Sequence, residues 1–127
     1  MSSHVHLIIS SKDGYLLQDT LRDFKKFTSK AIVKSIEEIA ESRREWLLNK
    51  FNFEAQRVKR GKDYKLWQDG YHAKQIESTE FLQQKLDYIH NNQVEAGIVL
   101  SGEDCLYSSA KNYAGHPDLL LDIAFAL

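Results

Sequence analysis

The segment His4-Val5-His6-Leu7-Ile8-Ile9 predicts a β-strand near the start of this chain of 127 residues. It is short and rich in β-branched and other apolar residues, which is typical of a strand. Alternate side chains of a strand point to the same face, roughly 7 Å apart along it. We therefore expect the imidazoles of His4 and His6 to reach one divalent ion. The alternative is a pair of histidines in a frayed N-terminus without a common role.

Helical spacing follows this strand. Apolar residues between Leu17 and Ala31 are four, three, three and four positions apart, which predicts a helix. This helix is expected to break near residue 41, where Ser42 and Glu45 form a capping-box pattern. Ser78 is a further predicted cap. The other expected elements are a helix over roughly 42–55, a kinked strand over 65–76, a helix over 79–92 and a short helix over roughly 107–113.

The composition is that of a globular protein with one domain over residues 1–127, because 43% of the residues are hydrophobic and 28% are charged. Cys105 is the single cysteine, which excludes an internal disulfide and a cysteine zinc cluster. A reducing compartment such as the cytoplasm is the expected setting. No apolar run approaches the roughly 18 residues of a membrane span, and the N-terminus lacks the basic lead of a secretory signal.

The charges are segregated although the formal net charge is only −1. Basic residues recur at helical spacing on the first helix and again in the loop over 57–65. Such grouping can present a basic face to phosphates even in a neutral protein. The alternative is an ordinary solvated surface.

The polar face of the helix over 79–92 carries Tyr88, with Asn92 one turn further on. A phenol can act as a covalent nucleophile once it is deprotonated, which requires a cation nearby. Lys85 or a bound metal ion could supply that field, and the amide oxygen of Asn92 is a suitable ligand for a hard metal. The alternative is a half-buried tyrosine with a hydrogen-bonded hydroxyl.

Five segments, in order along nearly the whole chain, resemble the single-tyrosine HUH transposases and specifically their REP-associated branch. The segments are Ser3-His4-Val5-His6-Leu7-Ile8, Asp23-Phe24-Lys25-Lys26-Phe27-Thr28-Ser29-Lys30, Leu66-Trp67-Gln68-Asp69-Gly70-Tyr71-His72, Leu86-Asp87-Tyr88-Ile89-His90-Asn91-Asn92 and Tyr107-Ser108-Ser109-Ala110-Lys111-Asn112-Tyr113. One departure is Asn92-Gln93-Val94, where the family usually has Asn-Pro-Val. The other is the start at His4, since the family's histidine strand is normally preceded by another strand, a helix and a further strand.

This resemblance implies an α+β fold, a ferredoxin-like antiparallel sheet with helices packed on one face, here N-terminally truncated. It implies a transposase that cuts and rejoins single-stranded DNA beside a hairpin, with Tyr88 as the nucleophile that forms a 5′-phosphotyrosine. His4, His6 and Asn92 would hold the divalent ion, Mg²⁺ or Mn²⁺. The residues expected to follow the DNA backbone are Arg22, Lys25, Lys26, Lys30, Arg57, Lys59, Arg60 and Lys62.

Two other functions stay open at this point. One is a catalytically inactive remnant that binds DNA hairpins, and the other is a small α+β protein whose His-x-His pattern is accidental. A homodimer is also expected, because a sheet that begins at His4 exposes an edge and eight of the nine residues over 119–127 are apolar. A monomer whose tail folds back on its own sheet is the alternative.

Overall fold

The computed structural model describes residues 3–40, 42–59, 61, 63–117 and 119–126. Within these ranges the chain is helical and falls into two compact units. The first unit, Ser10–His72, contains α1 (Leu17–Glu38) and α2 (Arg44–Arg57). The second unit combines Met1–Ile9 with Ala73–Leu127. It contains α3 (Thr79–Glu95), a 3-10 helix (Gly102–Asp104) and α4 (Ala110–Tyr113).

The predicted ferredoxin-like antiparallel sheet is wrong, because no β-strand occurs in the described residues. The segment over 4–9 has the composition of a strand, yet its backbone makes no backbone hydrogen bond to another described residue. A strand requires a partner for its N–H and C=O groups, and β-propensity within one segment cannot supply it. The second predicted strand, over 65–76, is irregular and turns at Gly70, whose φ of 70° suits glycine.

The four predicted helices occur, although α2 begins at Arg44 rather than near residue 42 and α4 begins at Ala110 rather than near residue 107. Ser78 is the N-cap of α3, as predicted, and its Oγ accepts a hydrogen bond from the Phe81 N–H at 3.1 Å. The expected capping box of Ser42 and Glu45 is wrong. The N-cap residue of α2 is Arg43, and no side chain caps that end. The acidic residue Glu45, in the first turn, is still favourably placed against the helix dipole.

Contacts between α1 and the segment over 67–70 organise the first unit. The indole Nε1–H of Trp67 donates to Thr28 Oγ1 at 2.9 Å, and the Trp67 ring lies 6.0 Å from that of Phe24. From the same helix, the Lys25 ammonium donates to the backbone carbonyls of Gln68 and Gly70. An irregular segment is thus held against α1 by an aromatic contact and three side-chain hydrogen bonds.

Close packing at Gly102 organises the second unit. A Cβ atom at this position would lie only 2.8 Å from the backbone oxygen of His90, so any side chain here would push the 3-10 helix away from α3. Leu86 of α3 and Ala110 of α4 are buried on either side of this approach. The absence of a side chain at Gly102 therefore permits α3 and the 3-10 helix to pack closely.

The C-terminal segment over 119–126 packs against α4. The Asn112 amide donates to the Leu121 carbonyl at 2.8 Å, and the Ala126 N–H donates to the Tyr113 hydroxyl at 3.1 Å. The Tyr113 and Phe125 rings meet edge to face at 5.2 Å. The described part of the tail is therefore held against α4 of its own unit, and the described residues contain no sheet for it to pack on.

The Trp67 hydrogen bond supports a prediction for stability. Trp67→Phe keeps the ring contact with Phe24 but removes the indole donor, while Thr28 Oγ1 still donates to the Phe24 carbonyl at 2.8 Å. We expect a loss of about 0.5–1.5 kcal/mol in the free energy of unfolding, measured by urea titration. Trp46→Phe is the matched control, since no hydrogen bond of the Trp46 indole occurs in the described structure. Equal losses in both variants would contradict the assigned role of the hydrogen bond.

Candidate metal and nucleophile site

Three of the side chains singled out in the sequence meet in the second unit. The imidazoles of His4 and His6 lie 6.4 Å apart between ring centroids, with their planes only 20° from parallel. The His6 and Tyr88 rings meet edge to face, with centroids 5.5 Å apart and planes at 89°. The two histidines are therefore on one side of their segment, and the ring of His6 contacts the tyrosine.

The geometry of α3 exposes this tyrosine. Leu86 is buried, and two further residues turn a helix by about 200°, which places Tyr88 on nearly the opposite side. The Tyr88 side chain is accordingly 50% exposed. A tyrosine with this exposure can be reached by a macromolecule, and the His6 ring covers part of its remaining surface.

Asn92, the third predicted metal ligand, lies in α3 one turn beyond Tyr88 and is partly buried. Its amide has no hydrogen bond to the described residues. The described ranges contain no group of three His, Cys, Asp or Glu side chains able to hold a metal ion. The structure brings the imidazoles of His4 and His6 together, and Asn92 stays a predicted ligand.

Lys85 is placed away from the tyrosine that it was considered to activate. Its ammonium lies 4.8 Å from the centroid of the Phe81 ring, one turn towards the start of α3. This cation–π contact holds the Lys85 ammonium on the side away from Tyr88. The structure therefore favours an external cation over Lys85 as the group that would ease deprotonation of the phenol.

The structure places His90 on the packed side of α3. Its Nε2 is 2.9 Å from Ser109 Oγ, and its ring lies 5.3 Å from that of Tyr113. Burial lowers the pKa of His90, with a smaller opposing effect from the charge of Asp87. The sequence indicates this packed position, because His90 stands four residues after the buried Leu86 and so lies on the same face of the helix.

Two arginines of the predicted basic face form ion pairs with acidic residues of the same chain. The Arg22 guanidinium pairs with Asp19 at 2.6 Å and Asp23 at 3.1 Å, and its hydrogen bond to Asp23 is the main cause of its raised pKa. Arg57 pairs with Glu54 at 2.8 Å, and their hydrogen bond likewise raises the pKa of Arg57. These pairs reduce the charge that the first unit offers to a phosphate.

Three other predicted contacts remain available. Lys26, Lys30 and Lys59 are exposed, and none of them pairs with an acidic residue of the described chain. Lys59 also has a φ of 49°, a left-handed conformation that favours glycine just after a helix. A lysine at that position carries a conformational cost, so we interpret its cation as a reason for its presence. Arg60 and Lys62 lie outside the described residues.

The candidate site is an open surface rather than an enclosed pocket. A shallow depression does occur on the first turns of α3, but it is lined by Thr79, Glu80, Gln83, Gln84 and Asp87. His4, His6 and Tyr88 take no part in it. An exposed phenol without an enclosing cavity suits a polymer better than a small molecule, which usually binds in a deep cleft.

Comparison of the chain with models of protein families, with curated proteins and with solved structures gives no match. Of the helices in the described ranges, none combines the length and the apolar character that crossing a membrane requires.

The paired imidazoles support a prediction for metal binding. We expect His6→Ala to weaken Mn²⁺ binding roughly tenfold or more in calorimetry, because one of two nitrogen ligands is lost. His72→Ala is the control, since His72 is an exposed histidine of the other unit. Equal Mn²⁺ affinity in the wild type and both variants would contradict a metal site at His4 and His6.

Proposed function

We propose that this chain is a DNA transposase that cuts and rejoins single-stranded DNA at hairpins through a covalent link to Tyr88. The observation that carries the proposal is the contact of His6 with Tyr88, beside a second imidazole on the same side. In this proposal Tyr88 is the nucleophile, and the two imidazoles are ligands of the metal ion that activates it. The resemblance of five ordered segments to the single-tyrosine HUH transposases supports the same reaction.

The two histidines would hold a divalent ion only after a small movement of their rings. Their centroid separation of 6.4 Å equals two metal–nitrogen bonds of roughly 2.0–2.1 Å plus the two ring radii only with the ion on the line between the rings, so the rings would move closer for the roughly 90° angle of an octahedral site. Mg²⁺ and Mn²⁺ prefer oxygen ligands, which water, a DNA phosphate and the amide of Asn92 would add. When bound, such an ion acts as a Lewis acid that offsets the charge developing on the phosphate.

The remaining steps of the proposed reaction are carried out by residues of the chain. Tyr88 Oη attacks the scissile phosphorus, so that an Oη–P bond forms while the bond from phosphorus to the 3′-oxygen breaks. The phenolic proton passes to the departing oxygen, which leaves a 5′-phosphotyrosine and a free 3′-hydroxyl. The edge of the His6 ring restricts the orientation of the Tyr88 ring. Rejoining is the reverse step, and it needs no ATP because the phosphotyrosine conserves the bond energy.

Removal of the phenolic oxygen tests the nucleophile. We expect Tyr88→Phe to reduce covalent attachment to a single-stranded hairpin by roughly a thousandfold or more with Mn²⁺, while hairpin binding changes little. The ring and its contact with His6 are kept, and only the attacking atom is lost. Tyr71→Phe is the control, since Tyr71 has a similar exposure and belongs to the other unit. An undiminished adduct on a denaturing gel would mean that another residue attacks.

A nonenzymatic hairpin-binding module is the second candidate function. It is supported by the absence of a β-strand from the described residues, because the predicted sheet would have held the two histidines more rigidly. The basic side chains Lys26 and Lys30 would then serve binding alone. Retardation of the hairpin by the wild type without any adduct would favour this module over the transposase.

We further propose a cytoplasmic homodimer. The tail is fastened to α4 through backbone groups, while the side chains of Leu120, Leu121 and Phe125 stay exposed. Val5 and Leu7 of the same unit are exposed as well. An apolar surface of this kind supports a contact with a second copy. The single cysteine, Cys105, is free, which suits a reducing compartment.

Light scattering over a dilution series tests the dimer. We expect a mass of two chains that falls to one chain on dilution, and Leu121→Glu should favour the monomer because it places a charge in the apolar contact. Leu100→Glu is the control, since Leu100 is still more exposed than Leu121 and lies outside the tail. A mass of one chain at every concentration would contradict the dimer.

A further inference from the structure

The outward face of α2 carries an unusual stripe of side chains. Trp46, Lys50, Phe53 and Arg57 stand four, three and four residues apart, and this spacing aligns them along one side of the helix. The Trp46 side chain is 57% exposed and that of Phe53 is 66% exposed. Two large aromatic rings therefore alternate with two cations on a surface that is open to solvent.

This stripe lies opposite the packed side of the helix. Ala55 is only 2% exposed, and rotation by about 100° per residue places it on the far side of α2 from the stripe. The outward face of a surface helix normally carries polar and charged side chains. The packing of the first unit therefore does not explain why Trp46 and Phe53 are aromatic.

One cation of the stripe lies beside an aromatic ring. The Lys50 ammonium is 4.9 Å from the centroid of the Trp46 ring, whereas the Arg57 guanidinium is paired with Glu54 and offers less charge to a phosphate. Bases of an unpaired strand stack on aromatic rings, and the phosphates that alternate with them attract cations. The stripe thus matches both components of a single-stranded nucleic acid.

We propose that the outward face of α2 is a base-stacking platform for single-stranded DNA. The identity of the polymer rests on the proposed function, whereas the platform itself rests on the stripe. Seven residues separate Trp46 from Phe53, which corresponds to roughly 10 Å along the helix. At 3.4 Å for each stacked nucleotide, this distance accommodates about three nucleotides. Duplex DNA does not fit the platform, because its bases are already stacked on one another.

The charges on this face favour DNA over a second copy of the chain. Two α2 helices packed face to face about a two-fold axis would bring Lys50 of each copy close to Lys50 of the other. Like charges in such a contact oppose association. The exposed leucines of the tail, by contrast, carry no charge, and they lie in the other unit. The proposed dimer contact and the proposed platform are therefore different surfaces.

The test measures binding without chemistry. The affinity of a fluorescently labelled single-stranded oligodeoxynucleotide of about twelve nucleotides is followed by anisotropy, in the Tyr88→Phe background and with a chelator present. Trp46→Leu and Phe53→Leu keep apolar bulk but remove the stacking ring, so each should weaken binding about 5- to 150-fold. Tyr15→Leu is the matched control, since Tyr15 is 69% exposed and lies outside the stripe; its affinity should stay within about twofold of the background.

Several results would overturn the platform. They are unchanged affinity in both leucine variants, an equal loss in Tyr15→Leu, no binding by the background protein, and a duplex of the same sequence bound equally well. A mass that falls in Trp46→Leu while its DNA affinity is unchanged would instead assign the face to a second copy. The proposed function is tested separately, by adduct formation. A wild type that forms no adduct would contradict the transposase, whereas a loss of DNA affinity on replacing Trp46 would still support the platform.

Discussion

The edge contact between the His6 imidazole and the Tyr88 ring is the interaction on which the candidate site depends. It joins the N-terminal segment to α3, although the backbone of residues 4–9 has no backbone hydrogen bond to the described remainder of the chain. Pairs of aromatic rings contribute only about 0.5–1.5 kcal/mol beyond the area that they bury. The histidines are therefore positioned by a weak contact, and any ligand that engages both groups would strengthen it.

Polar contacts provide much of the stabilisation that a larger hydrophobic core provides in other domains. Four hydrophobic residues of the described chain are buried, namely Val33, Ala55, Leu86 and Ala110, and two of these are alanines. The irregular segment over 67–70 is instead held by Trp67 and by the ammonium of Lys25. This use of Lys25 removes a predicted DNA contact from the surface, so the demands of the fold and of binding compete at that residue.

Local patterns predicted the local structure, and contacts distant in sequence were the ones missed. The apolar period of α1 and the cap at Ser78 depend on residues within one or two turns, and both agree with the structure. A sheet depends on a partner from elsewhere, so the composition of residues 4–9 could not establish it. Alternate spacing nevertheless predicted that His4 and His6 share a side. The hydrogen bond of Trp67 to Thr28 spans 39 residues, and no periodicity indicates it.

The close approach at Gly102 limits how this sequence can vary. Most glycines of the chain, Gly70 and Gly97 among them, have a positive φ, and asparagine or aspartate can adopt that conformation at modest cost. Gly102 has no positive φ; it is restricted by the His90 carbonyl instead. Even alanine is too large there unless α3 or the 3-10 helix moves. Among distant descendants of this chain, Gly102 should be invariant while the turn glycines drift to asparagine.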